Sequence, residues 1–171
     1  MNIFSELLNV LKEKNQIIDP AELVIAEGAF LDSMANIEAS KPKFADLDRQ
    51  QVLIMPGFVA ANDAGEVVTL GRNGSDYSAA ILAACLDASA CEIWTDVIGV
   101  YTTDPRITSA ARPLPELSFE EAAEMATFGA KVLHPATTAP TLRASIPLFV
   151  GSSKAPELGG TWLVRDCKDE P

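Results

Sequence analysis

The 171-residue chain is 48% hydrophobic and 22% charged, a length and apolar content suited to one soluble domain around one core. Its 13 basic and 24 acidic residues give a net charge of −11, which repels the phosphate backbone of nucleic acid and the anionic face of a membrane, so neither is expected as a partner. No apolar run reaches the roughly 20 residues that span a bilayer, and the amphipathic start MNIFSELLNVLKEK is unlike a signal peptide, so a cytoplasmic protein is expected.

In chain order, FSELLNVLKEK places Leu7, Leu8 and Leu11 at helical spacing with charges opposite. The region from Asp19 to Lys43 mixes a short apolar run with helix formers and gives no clear assignment. QQVLIMPGF is a compact apolar run ended by Pro-Gly, the pattern of a buried strand; NDAGE is a turn and VVTL a second short strand. From Ser75 to Leu86, SDYSAAILAACL is apolar on nearly every side, as in a buried helix, with Ser75 or Asp76 available to cap it. CEIWTDV reads as the next strand. In LSFEEAAEM, Ser118 and Glu121 have capping-box spacing and Leu117 and Ala122 sit at staple positions, which predicts a helix start at Ser118. TFGAKVLHP leads into a short helix, ATTAPTLRAS, and a strand, PLFVG. Strands alternating with helices on buried runs predict a mostly parallel sheet covered on both faces. Cys85, Cys91 and Cys167 lack CxxC spacing and read as structural thiols. No metal site is predicted. Residues 165–171 form a polar tail to a domain spanning 1–164.

The chemistry concentrates in LGRNGSDYSAA, residues 70 to 80. Gly71 and Gly74 let backbone approach a ligand closely, the helix start presents unsatisfied N–H groups, and Arg72 offers a planar fork for carboxylate or phosphate. The spacing is neither GxGxxG nor a Walker P-loop, so on spacing alone a strand-to-helix turn with a surface arginine is the favoured reading. Basic residues are scarce around it: between Gln50 and Lys131 they are Arg72, Arg106, Arg112 and Lys131. Thr95 and Asp96 end a predicted strand, the edge at which open α/β sheets bind ligands, and Arg106 closes the loop that follows. Lys131 lies in an apolar segment, where it either snorkels or meets an anionic partner. His134 precedes Pro135 and reads as packing or capping, since no nucleophile constellation accompanies it.

GFVAANDAGEVVTLGRNGSDYSAAILAACLDASACEIWTDVIGVYTTDPR and FEEAAEMATFGAKVLHPATTAPTLRASIPLFVGSSKAPELGGTWLV together resemble the aspartate kinase family of amino-acid kinases. The resemblance covers residues 50 to 164 almost continuously. IIDPAELVIAEGAFLDSMANIE is more weakly similar to bifunctional aspartate kinase/homoserine dehydrogenases, and the segment after Glu120 to lysine-sensitive aspartate kinases. The resemblance implies an α/β three-layer sandwich with a mainly parallel central sheet, the amino-acid kinase fold. The implied reaction transfers the γ-phosphoryl of ATP, as its Mg²⁺ complex, to the β-carboxylate of L-aspartate, giving 4-phospho-L-aspartate for lysine, threonine and methionine biosynthesis. By motif, Arg72 and Ser75 would hold the aspartate carboxylates and the backbone from Gly71 to Gly74 would face the transferring phosphoryl group. Asp76 and Lys131 would be catalytic, Asp76 by organising the lysines of the site. Thr95, Asp96, Tyr101, Arg106, Lys131 and Val132 would hold ATP.

One family motif has no counterpart: the glycine-rich Lys-x-Gly-Gly loop whose lysine faces the transferring phosphoryl group. The chain is therefore expected to be the C-terminal part of a kinase domain, incomplete at its N-terminus. It would be a piece truncated from a longer kinase, or be completed by another polypeptide carrying the missing half, or associate as a homo-oligomer. The alternative is a catalytically silent nucleotide-binding or interaction module derived from an aspartate kinase.

Overall fold

A computed structural model describes residues 2–71, 74–127 and 135–167. The chain divides into two compact units, Met1–Ser78 and Ala79–Pro171.

In the first unit, helix α1 (Asn2–Val10) precedes strand β1 (Asn15–Ile17). The unassigned region resolves into short elements. Helix α2 (Pro20–Leu23) is a single turn that starts where Asp19 caps the Ala21 N–H and Pro20 takes the first helical position. Strands β2 (Ala26–Ala29) and β3 (Asp32–Ala35) form an antiparallel hairpin. Asn36 then caps another single turn, α3 (Ile37–Ser40). Strand β4 (Val52–Ile54) pairs in parallel with β1, and β5 (Val59–Ala61) pairs antiparallel with β6 (Val67–Thr69). Their connection is the expected turn: the Asn62 side chain accepts from the Ala64 and Glu66 N–H groups, and Gly65 adopts φ +79°. Helix α4 (Gly74–Leu86), one residue longer than predicted, starts in this unit and continues past its end at Ser78 into the second.

The second unit is built on a four-stranded mixed sheet ordered β7, β9, β10, β8. Its strands are β7 (Cys91–Thr95), β8 (Glu116–Ser118), β9 (Leu148–Ser152) and β10 (Gly160–Val164). β7 runs parallel to β9 and β8 parallel to β10, while β9 and β10 are antiparallel. Helices α5 (Phe119–Thr127) and α6 (Pro135–Arg143) belong to this unit. Alternation along the strands sends Cys91, Ile93, Leu117, Leu148, Val150 and Leu163 to one core with Phe119, Ala122 and Ile146. On the other face Phe149 sits between Trp94 and Trp162, with ring centroids 5.2 and 5.1 Å away. The predicted capping box forms: Ser118 N–H and Oγ both donate to Glu121 Oε2 at 2.8 Å, and Glu121 N–H donates back to Ser118 Oγ at 3.1 Å. Ser118 is the cap and Phe119 the first helical residue. Cys85 and Cys91 are buried thiols, as expected of structural cysteines. Among the described residues no helix is long and apolar enough to cross a membrane.

Candidate active site

The sequence-predicted residues fall into two groups, one in each unit. Arg72, Lys131 and Val132 lie outside the described residues, as does His134.

In the first unit, three loops converge on the start of α4. Leu70 is buried and donates its N–H to the Phe58 carbonyl at 3.0 Å, which holds the end of β6 against the loop between β4 and β5. Gly71 then turns the chain with φ +70°, and a Cβ there would run into the carboxylate of Asp32 at the start of β3. Gly74 opens the helix so close to Phe58 that a Cβ would collide with the phenyl ring, and a Cβ on Gly57 would lie 2.8 Å from Ser75 Cα. Both glycines are therefore required by close approach. Ser75 is exposed in the first turn of α4, where backbone N–H groups lack helical partners. Asp76 follows, half-buried, and burial pushes its carboxyl above the usual carboxylate range. The start of α4 thus brings together an exposed hydroxyl at Ser75 and a half-buried carboxyl at Asp76, with the Asp32 carboxylate against Gly71.

In the second unit, β7 delivers Thr95 and Asp96 at its C-terminal end. Thr95 Oγ1 donates to Asp96 Oδ1 at 3.2 Å, and the Thr95 carbonyl accepts from Ser153 N–H at 2.8 Å and Ser153 Oγ at 3.0 Å. The following loop is a narrow ribbon. Val100 pairs with Leu114, Tyr101 bridges antiparallel to Pro113, and the Thr102 N–H donates to the Arg112 carbonyl at 2.9 Å. At its tip Arg106 forks onto Asp104, with Nη2 2.6 Å from Oδ2 and Nε 3.0 Å from Oδ1. That hydrogen-bonded carboxylate makes the guanidinium still harder to deprotonate. The ribbon, which follows Thr95 and Asp96 in the chain, thus carries a half-buried Tyr101 and an exposed Arg106.

Residues 2–152 match the family model described as the Amino acid kinase family. The chain belongs to the amino acid kinase family. Within it, the chain is 49% identical over 156 residues to a bifunctional aspartokinase/homoserine dehydrogenase of Haemophilus influenzae, covering 90% of this chain and 19% of that protein. It is 57% identical over 120 residues to lysine-sensitive aspartokinase 3 of Escherichia coli, covering 70% of this chain and 27% of that one. The crystal structure of E. coli aspartokinase III in complex with aspartate and ADP superposes with a TM-score of 0.88 at 45% identity, over 99% of this chain and 39% of that chain. The chain thus spans about a quarter or less of the length of these two curated relatives. The α/β architecture is that of the amino acid kinase fold, as the resemblance implied.

Sequence reasoning missed several residues that shape this amino acid kinase segment. Gly57 and Phe58 press on the start of α4, and the Pro-Gly signal marked only the end of a strand there. Asp32 faces Gly71 from a hairpin that the sequence left unassigned. Thr161, whose hydroxyl links Val100 to Leu114, carries no local signal at all.

Proposed function

We propose that this chain is part of an aspartate kinase, which transfers the γ-phosphoryl of ATP to the β-carboxylate of L-aspartate. The observation that carries this reading is the ordered occurrence of GRNGSD, WTDV and FGAKVLHP in a chain that is 57% identical over 120 residues to lysine-sensitive aspartokinase 3. The E. coli relative whose crystal structure holds aspartate and ADP supports the same pair of ligands.

Each group of residues then has a role. The cradle from Gly71 to Gly74, with Arg72 and Ser75, would bind the aspartate carboxylates and present backbone N–H groups to the transferring phosphoryl. Asp76 would orient the lysines of the site. Thr95, Asp96, Tyr101 and Arg106 would hold the nucleotide, with Lys131 and Val132 at its phosphate or base region. Phosphoryl transfer needs rigid positioning and positive charge rather than covalent help, which a fork arginine, a lysine and helix-start amides supply. Mg²⁺ would arrive on ATP, held largely by phosphate oxygens and water. With ATP and aspartate as substrates, the cytoplasm is the natural setting.

The test is aspartyl-phosphate formation, trapped as the hydroxamate, by this chain alone and mixed with a polypeptide carrying the Lys-x-Gly-Gly half. A positive group aimed at the transition state contributes on the order of 10²- to 10³-fold in rate. Turnover is therefore expected mainly in the mixture and is expected to be lost on Arg72→Ala. ATP binding without turnover in either arm overturns the kinase reading in favour of a silent nucleotide-binding module.

A further inference from the structure

The ribbon from Val100 to Leu114 closes at its root in an unusual way. On one side the Leu114 N–H donates directly to the Val100 carbonyl at 2.8 Å. On the other side the return bond is not direct. The Val100 N–H donates to Thr161 Oγ1 at 2.8 Å, and the same hydroxyl donates to the Leu114 carbonyl at 2.6 Å. Thr161 is 1% exposed, on β10, one of the two inner strands of the sheet, and Val100 is 2% exposed in the core of the second unit. Gly99 makes room for this arrangement: it adopts φ +124°, and a Cβ there would lie 2.6 Å from Thr161 Oγ1. A buried hydroxyl that accepts from one arm of a ribbon and donates to the other satisfies both backbone groups at once.

We infer that Thr161 is the positioning residue of the nucleotide loop, fixing the two arms that carry Tyr101 and Arg106 to the rigid sheet. The inference rests on the reading of that loop as part of the ATP site. Above the root, the ribbon is held by the Tyr101–Pro113 bridge and the Thr102–Arg112 bonds, in which the Thr102 N–H meets the Arg112 carbonyl and the Arg112 N–H meets Thr102 Oγ1. Its tip is exposed. Without the hydroxyl, the Val100 N–H and Leu114 carbonyl lose their buried partner. The ribbon then opens at its root and spends less time in the form that presents Tyr101 and Arg106. Apparent nucleotide affinity falls in proportion to that lost population.

The experiment compares the full chain with Thr161→Val, which keeps shape and loses the hydroxyl, and Thr161→Ser, which keeps the hydroxyl. Two quantities are read: the Kd for Mg-ATP by calorimetry, and the rate of tryptic cleavage after Arg106, with Pro113 shielding the bond after Arg112. The expected result is an increase in Kd of about tenfold for Thr161→Val, faster cleavage after Arg106, and near wild-type behaviour for Thr161→Ser. Unchanged cleavage in a folded Thr161→Val chain overturns the clasp. Faster cleavage with unchanged Kd overturns its role in nucleotide binding. A wild-type chain that binds no Mg-ATP removes the kinase reading and, with it, the nucleotide role of the loop; the cleavage rate alone then decides whether Thr161 holds the ribbon. Should Thr161→Val fail to fold, Gly99→Ala, which crowds the same hydroxyl, carries the test: faster cleavage with a raised Kd supports the inference, and wild-type values overturn it.

Discussion

Ser78 joins the first turn of α4 to a backbone held in the left-handed region at Phe58. Its Oγ accepts the Phe58 N–H at 2.9 Å and donates to the Gly74 carbonyl at 2.7 Å, while Phe58 itself has φ +77°. A phenylalanine at positive φ is strained, and such strain persists only where neighbouring contacts over-determine it. Ser78→Ala is expected to lose about 1–2 kcal/mol of stability by removing a buried partner from the Phe58 N–H. Urea unfolding measures this, and hydrogen exchange at Phe58 should accelerate in the variant. An unchanged midpoint together with unchanged exchange would mean the serine does not hold this loop.

Gly71 gives a second, sharper prediction. Its φ of +70° disfavours any side chain, and the Asp32 carboxylate occupies the place of a Cβ. Gly71→Ala is expected to cost about 1–2 kcal/mol from backbone conformation alone, with the clash added. Asp32→Ala in that background should recover the steric part and leave the conformational part. Full recovery by Asp32→Ala would show that the left-handed turn contributes nothing.

These two positions also show what the sequence could and could not reveal. Local signals were legible: the Ser118–Glu121 box, the NDAGE turn and the buried runs of α4, β7 and β9 all depend on residues within a few positions of one another. β1 was not, because Asn15–Ile17 is short, mostly exposed and a strand only through pairing with Val52–Ile54. β10 begins with a glycine, and its identity comes from partners on two neighbouring strands. In the site, the glycines of GRNGSD were legible as a close approach, yet the group they approach was not. Asp32 and Phe58 meet them across tertiary contacts, and Thr161 reaches a loop 61 residues away at Val100.

Asp76 should separate stability from function. Burial raises its carboxyl in the folded state, so the ionised form is disfavoured there relative to the unfolded chain, where Asp titrates near about 3.9. The folded state then binds the proton more tightly. The favourable contribution of this group is fully present below that unfolded value and is lost as pH rises through the raised folded one. Asp76→Asn removes a carboxylate that is poorly solvated at neutral pH, so stability near pH 7 is expected to hold or rise, while hydroxamate formation in the complemented mixture is expected to fall on the order of 10²-fold. Thermal unfolding at pH 7 beside the transfer assay checks both. A destabilised Asp76→Asn would show that the carboxylate's interaction with the start of α4 outweighs its burial.

The capping box of α5 has the opposite sign. Glu121 accepts the Ser118 N–H and, second, the Ser118 hydroxyl, and these bonds lower its carboxyl below the usual range. A depressed folded value means the contribution is present above the unfolded Glu value of about 4.3 and is lost as pH falls through the folded one. Because Glu121 is exposed, solvent screens the effect to a few tenths of a kcal/mol. Glu121→Gln keeps an acceptor for Ser118 and removes the titration. Its stability should therefore vary less with pH than wild type between about pH 5 and 3, as read from urea midpoints across that range. Ser118→Ala removes the hydroxyl from both directions of the box and should cost about 1 kcal/mol at pH 7. Parallel pH curves for wild type and Glu121→Gln would show that the carboxylate titrates as it does in the unfolded chain, and that the box acts through hydrogen-bond geometry alone.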